Sequence, residues 1–594
     1  MESKARNLMN PEFMWDLTPV YANDEAWEAD LKECEALAKR LGDIPGTLGN
    51  SAESLKNGLD RINEAARKVE KVYCYAFLKK SGDNGDARFQ DMEARCISLI
   101  VQLQTAVAFV NPEILSIDPE KLEAYMKDEN LATYRHMVED VVRARQHTLD
   151  AQTEGILAML GDAAQTPSNV FEMFESVDMR FPSIKDENGN DAPLTHGSFT
   201  VFRESKDARV RKDAFETYFG EFGKYINTLA AAYSGSVKQD CFFANVHHHA
   251  GACEAALFEN NVPVSLYDSL VSAVHDALPT MKEYLALRKN VLGLEELNMY
   301  DLYVPMLESA DSEVPFEKGR EMVKAALKPL GEEYQTLLDR AFNEKWIDVY
   351  ENQGKTTGAY SMGVFDAHPY VLLNYTDKLD DAFTLAHELG HAMHSYFSDS
   401  TQDFANHDYR IFVAEVASTV NEVLLTKYLL SKETDPMKRA NLLNNFLESF
   451  RTTVFRQTLF AEFERKAHEL YQAGTPLTAQ VLNGVYRDLN CLYYDGAVIN
   501  PITDLEWARI PHFYNAFYVY QYATGFCSAV AIADHILKTG DASDYLKFLS
   551  TGGSDYPLNE LKIAGVDLTK PDTVANAMRV FKETLDELKE ILGK

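Results

Sequence analysis

Basic charge is what this chain of 594 residues most lacks: 58 Lys and Arg stand against 91 Asp and Glu, a formal net charge of −33. So acidic a chain has no excess to neutralise phosphates, and neither nucleic acid nor an anionic membrane is an expected partner. Glycine (30) and proline (20) are sparse, which argues against a turn-rich, all-β architecture. The seven cysteines, at 34, 74, 96, 241, 253, 491 and 527, are odd in number, with no Cys-x-x-Cys pair. Neither a disulfide framework nor a thiolate metal cluster is therefore expected. The opening run MESKARNLMNPEFMWDL lacks the apolar stretch of a signal peptide. The least polar segment, Cys96 to Val110, is interrupted by Gln102, Gln104 and Thr105. It is too short to span a bilayer and reads as a buried core helix. The expected location is the cytoplasm.

What is present is helical periodicity. Trp27, Leu31, Cys34, Leu37 and Leu41 recur at three- and four-residue steps, as do Val574, Met578, Phe581, Leu585, Leu588 and Leu592. Similar stripes fill most of the chain, so the expected class is mainly α. Strand signals are few: Phe199 to Phe202 is a weak one, and Tyr370 to Tyr375 a better one. The segment 180–197, RFPSIKDENGNDAPLTHG, is polar and turn-rich. It predicts either a hairpin or a boundary between an N-terminal helical region, 1–197, and a second region, 198–594.

One run carries chemistry: His387-Glu388-Leu389-Gly390-His391. Asp380 and Asp381 before it suit a helix's first turn, and the helix should reach about Phe397. Four residues advance a helix by roughly 400°, so both imidazoles share one face and can converge on a cation. Glu388, offset by about 100°, sits beside that cation, where a base acting on water is needed. Chance on an ordinary helix would give this run in roughly 3 of 100 such chains. A catalytic zinc needs a third ligand. Glu415, flanked by Val413, Ala414, Val416 and Ala417, is an acid too costly to bury unless paired or bound to metal. Glu422, seven residues on, falls on nearly the same face and can orient a metal-binding histidine.

Further along, Arg509 to Gly525 is dense in tyrosine. Attack on a peptide carbonyl builds negative charge on oxygen, and imidazole or phenol donors aimed there stabilise it. Read as one helix, the segment places Tyr514, Tyr518 and Tyr522 on one face beneath His512, with Tyr520 elsewhere. His512 and Tyr518 are the expected donors, with Tyr514 and Tyr522 next.

Several patterns together resemble the oligoendopeptidase F branch of the thimet-oligopeptidase-like zinc peptidases. They are Trp15-Asp16-Leu17-Thr18-Pro19, Ala192 to Gly197, Gly358-Ala359-Tyr360-Ser361, Ala386 to His391, Ala414 to Glu422, and Arg509 to Gly525. The resemblance covers nearly the whole chain. It implies a two-lobed helical ellipsoid with a deep substrate channel and a small β-sheet next to the zinc helix. It implies an N-terminal domain at about 112–185, a catalytic domain over 198–594, and cleavage inside short peptides. One zinc ion would be held by His387, His391 and Glu415, with Glu388 as base. The spacing of His512 and Tyr514 is shorter than in the thimet branch, which leaves the acting tyrosine open.

The strand at 370–375, or the Gly354 to Tyr360 stretch with Gly358 and Ala359, is expected to pair with substrate backbone. His368 is a candidate for the channel lining. Arg509 or Arg410 could hold a substrate's terminal carboxylate if the enzyme removed C-terminal dipeptides, an alternative within the same class. A helical peptide-binding protein without activity is the other alternative, against which the intact Glu388 argues. The run His247-His248-His249 reads as a surface turn, since adjacent histidines diverge on regular structure.

Overall fold

The computed structural model describes residues 4–307 and 313–594. It is 71% helix and 2% strand, so the mainly α expectation holds. The apolar stripes do what their spacing predicts. Trp27, Leu31 and Cys34 are buried along the helix Asp24–Arg40, and Val574, Met578, Phe581, Leu585 and Leu588 along Asp572–Leu592. Five short strands are present among the described residues: β1 (Ile184–Lys185), β2 (Asp191–Ala192), β3 (Ile347–Asp348), β4 (Tyr360–Met362) and β5 (Tyr370–Leu372). β1 and β2 pair antiparallel, giving 180–197 the hairpin its turn residues predict. The others form a sheet of order β3-β5-β4, parallel in the first pair and antiparallel in the second.

The chain folds as two compact units, each drawn from three stretches: Met1–Gln146, Asp311–Leu429 and Ala529–Val566 in the first, His147–Ala310, Leu430–Ser528 and Asp567–Lys594 in the second. In the first unit the helices Asp24–Arg40, Ala52–Gly82 and Ala87–Val107 bury one core with Tyr370 and Leu372 of β5. Trp27 Nε1 donates to the Val72 carbonyl at 2.9 Å inside it. The second unit is built around helices such as Ile226–Val246, Val264–Val291, Pro436–Phe450 and Arg456–Gln472.

Two expectations need correcting. Most of the segment Cys96 to Val110 lies in a longer helix, Ala87–Val107, that buries only one face through Met92, Cys96, Leu99 and Leu103, and Val110 opens the next helix, Val110–Ser116. Ile97 and Val101 on its other side are half exposed, at 48% and 56%. By length and hydropathy alone, Ala87–Ser116 could cross a bilayer. Phe199 to Phe202, expected as a weak strand, lies in the helix His196–Phe202. There the Thr195 hydroxyl caps the Ser198 amide at 3.0 Å and the Ser198 hydroxyl accepts from the Thr195 amide, a capping box that outweighs β-propensity.

Candidate metal centre

The helix carrying the His-Glu-x-x-His run spans Leu379–Thr401. Asp381 starts it, its Oδ2 accepting from the amides of Thr376 and Lys378 at 2.9 Å each. The partner helix Ile411–Lys432 crosses it at Gly390. A Cβ there would fall 2.5 Å from Ser418 Cα and 2.7 Å from the Ala417 carbonyl oxygen, so only glycine lets the two backbones approach this closely. Asn421 pins the crossing by donating to the Ala386 carbonyl at 2.9 Å. Tyr334 holds Asn421 in turn, through a 3.1 Å hydrogen bond to its Oδ1.

This crossing sets Glu415 opposite the two histidines. His387 Nε2 and His391 Nε2 are 3.2 Å apart, and Glu415 Oε2 lies 3.4 Å and 3.6 Å from them. They form a group able to hold a metal ion, the only one of three or more His, Cys, Asp or Glu among the described residues. Glu422 hydrogen-bonds His387 Nδ1, which places the proton there and turns the Nε2 lone pair toward Glu415. Ser418 Oγ donates to Glu415 Oε2 at 3.1 Å. The close approach of His391, opposed by burial and helped by both histidine charges, brings the Glu415 carboxyl down to about 2. Glu388 is 7% exposed. Burial pushes its carboxyl up, against His387 and His391, and the charges of Glu415 and Glu422 add to the rise.

β4 runs beside the metal helix, and a Cβ on Gly363 at its end would meet Ser395 Cβ at 3.0 Å. The expectation that 370–375 could pair with substrate is corrected by the sheet order. β5 is central with a neighbour on each side, whereas β4 is an edge. Tyr360 opens β4, and Gly358, two residues before it, has a positive φ of 80°. Asn374 Nδ2 donates to the Gly358 carbonyl at 2.8 Å. Gly358, Ala359, Asn374, Asp381 and Thr384 line a hollow of about 280 Å³. His368, the candidate for the channel lining, is buried. It is 6% exposed and stacks on Trp346 at 4.6 Å with Tyr370 on its other contact at 4.4 Å. Arg410 faces Asp140 at 3.2 Å.

In the second unit the segment after Arg509 is not the single helix its tyrosine spacing suggests. Pro511–Tyr514 is a 3-10 turn, and the next helix, Tyr520–Thr539, begins only after Tyr518. Tyr522 OH nevertheless reaches His512 Nε2 at 3.3 Å, and the Tyr518 ring lies 5.4 Å from that of Tyr522. Tyr514 is set apart, stacked on Phe171 at 4.5 Å. The break comes at Phe517, whose φ is 58°, a conformation costly for a bulky residue. Two partners hold it: its amide donates to Glu464 Oε1 at 2.9 Å, and its ring packs on His468. Burial keeps the Glu464 carboxyl well above the usual range. Arg509 lies 3.9 Å from Glu506. The turn expected at His247 to His249 is present, with His248 at φ 62° and His249 stacked on His147 at 3.6 Å.

Sequence reasoning missed Gly390, Asn421 and Glu464. A glycine inside a helix that must carry metal ligands was the available signal for the first; nothing local marks the other two.

Two helices crossing at a glycine, with a His-Glu-x-x-His run on one and a glutamate on the other, define a metallopeptidase-type site. The chain belongs to peptidase family M3, whose model matches residues 201–580, while an oligopeptidase F model matches residues 113–181. It is 42% identical over 593 residues to oligopeptidase PepF of Bacillus subtilis, covering 99% of this chain and 88% of that one. It is 40% identical to an oligoendopeptidase F homolog of Lactococcus lactis, covering 100% and 99%. The crystal structure of oligoendopeptidase-F from Enterococcus faecium superposes with a TM-score of 0.74 at 37% identity, covering 96% and 99%.

Proposed function

We propose that the chain is a zinc endopeptidase that hydrolyses internal bonds of short oligopeptides, with its catalytic region in 198–594. One observation carries the reading: three ligand atoms converge within 3.2–3.6 Å of one another. Zinc–nitrogen and zinc–oxygen bonds of about 2.0–2.1 Å in a tetrahedron put ligand atoms roughly 3.3 Å apart. The donors fit. Zinc there would supply a Lewis acid and acidify water near neutral pH.

The remaining chemistry belongs to the side chains. Glu388 takes the proton of the attacking water and returns it to the leaving amine; a carboxyl raised by burial is suited to both halves of that transfer. Glu422 fixes the tautomer and angle of His387. The edge of β4 binds the peptide in extended form by backbone pairing. His512 and Tyr518 donate to the carbonyl oxygen as it gains charge, and Tyr522 aligns His512. Tyr514, stacked on Phe171, serves packing.

Elemental analysis tests the class. The purified protein is expected to hold one zinc per chain, to lose cleavage of end-blocked internally quenched peptides on chelation, and to regain it with zinc. Unimpaired cleavage by metal-free protein would refute the metal assignment. Inertness toward blocked peptides alone would point to dipeptide removal from free C-termini.

A further inference from the structure

The second unit contains a concentration of positive charge that the proposed reaction does not use. Around Tyr303 lie Arg203, Arg288, Arg451, Arg456 and Arg509. In a chain of net charge −33 these five guanidiniums face two carboxylates, Glu448 and Glu506. Glu448 pairs with Arg451 at 2.6 Å and Arg288 at 3.5 Å; Glu506 takes Arg456 at 2.6 Å and Arg509 at 3.9 Å. Arg203 has no ion pair among the described residues and lies 3.8 Å from the Tyr303 ring centre, with Arg451 at 4.6 Å. On these ion pairs three positive charges remain in excess; the Arg451 and Arg288 side chains are 0% and 2% exposed, those of Arg456 and Arg509 12% and 24%.

Unused donors point the same way. Arg203 Nε, Arg451 Nη1 and Arg509 Nε are buried N–H groups without an acceptor, and the Tyr494 hydroxyl, which feels the charges of Arg451 and Arg456, also lacks a partner. Buried guanidinium donors left unpaired are costly, the more so among like charges. The surrounding titratable groups lie in the same field. Burial by itself raises the Tyr303 phenol, yet Arg456, Arg451 and Arg203 bring it down to about 8. Burial raises Glu506 too, and Arg456 and Arg509 reverse that to about 2. Burial lowers the Arg203 guanidinium, and Arg456 and Arg509 add to the effect.

We propose that these arginines, with Tyr494, bind a small monovalent anion, a halide ion or a single carboxylate group. Arg203, Arg451 and Arg509 supply N–H donors and Tyr494 an O–H. The anion ties Arg203, the residue ending the helix His196–Phe202, to the 3-10 segment Pro501–Arg509. That segment leads directly to His512, so the site braces the chain before it.

The test uses the full-length, metal-loaded protein in a chloride-free sulfonate buffer at constant ionic strength. Chloride is titrated and followed by excess broadening of the chloride NMR line and by the melting temperature. Saturable broadening and a rise in melting temperature are expected. Arg203→Met should weaken the saturable part by at least about tenfold, losing one charge-assisted donor, and Arg203→Lys should weaken it less. Chloride at the His387 centre contributes equally to all three proteins, so the difference isolates this site. Displacement by a short peptide with a free carboxylate, but not by its amide, would assign the natural anion to a peptide terminus. Displacement by neither would assign it to an inorganic ion. No saturable broadening in the parent protein, or the same broadening in folded Arg203→Met, overturns the proposal.

Discussion

The residues that matter most to the proposed metal centre are not all among its candidate ligands. Gly390 admits the backbone of the partner helix, with Ser418 Cα where a Cβ would need 2.5 Å. Gly390→Ala must push the two helices apart and is expected to destabilise by about 1–3 kcal/mol. Because Glu415 rides on the displaced helix, zinc affinity should fall as well. Calorimetric melting together with metal titration checks both, and a variant with unchanged zinc affinity would show that the crossing is not what places Glu415. Glu464 acts at a comparable remove. Its buried carboxyl accepts the Phe517 amide and holds a left-handed phenylalanine one residue before Tyr518. Glu464→Ala leaves that N–H unpaired, at a cost of about 1–3 kcal/mol, and is expected to lower kcat with little change in KM. Glu464→Gln keeps an acceptor of the same shape and should restore most of kcat. Equal kcat in both variants would remove Glu464 from any positioning role.

At the scale of elements, the first unit is fastened by buried charge as well as by its core. His407 lies between Asp399 of the metal helix, at 2.9 Å, and Glu70 of the helix Ala52–Gly82, at 3.3 Å. Burial alone would lower the imidazole, but Asp399 and Glu70 raise it from 6.5 to about 9. A folded pKa above the unfolded one means that the folded state holds the proton more tightly. The stabilisation is then complete below pH 6.5 and is lost as pH rises through about 9. The difference corresponds to at most about 3 kcal/mol. The melting temperature of the parent protein should therefore fall more steeply between those limits than that of His407→Gln. Parallel pH profiles would contradict the assignment.

The same scale shows what the sequence could and could not disclose. The metal helix was legible because its apolar period, its acidic first turn and its two histidines all obey the one 3.6-residue repeat. The segment 510–522 was not, because Tyr514, Tyr518 and Tyr522 imitate that repeat while Phe517 breaks the helix. The break depends on Glu464, some fifty residues away in sequence, which no local pattern reveals. Sheet order was equally hidden: β5 is more apolar than β4, yet β4 holds the edge. His368, a candidate for the channel lining by sequence, is packed against Trp346, a contact set by tertiary structure alone.

Over the whole molecule, composition foretold a mainly helical protein, and the motifs foretold its family; how three stretches of chain interleave in each unit could not be read from either. The functional account rests on Glu388 as the proton carrier beside a zinc held by His387, His391 and Glu415. Its most direct test is hydrolysis of an end-blocked, internally quenched peptide by Glu388→Gln protein verified to carry one zinc per chain. The account predicts a fall in kcat of at least about a hundredfold, the scale of losing a general base, with zinc content unchanged. Hydrolysis at the parent rate by that zinc-loaded variant would contradict it.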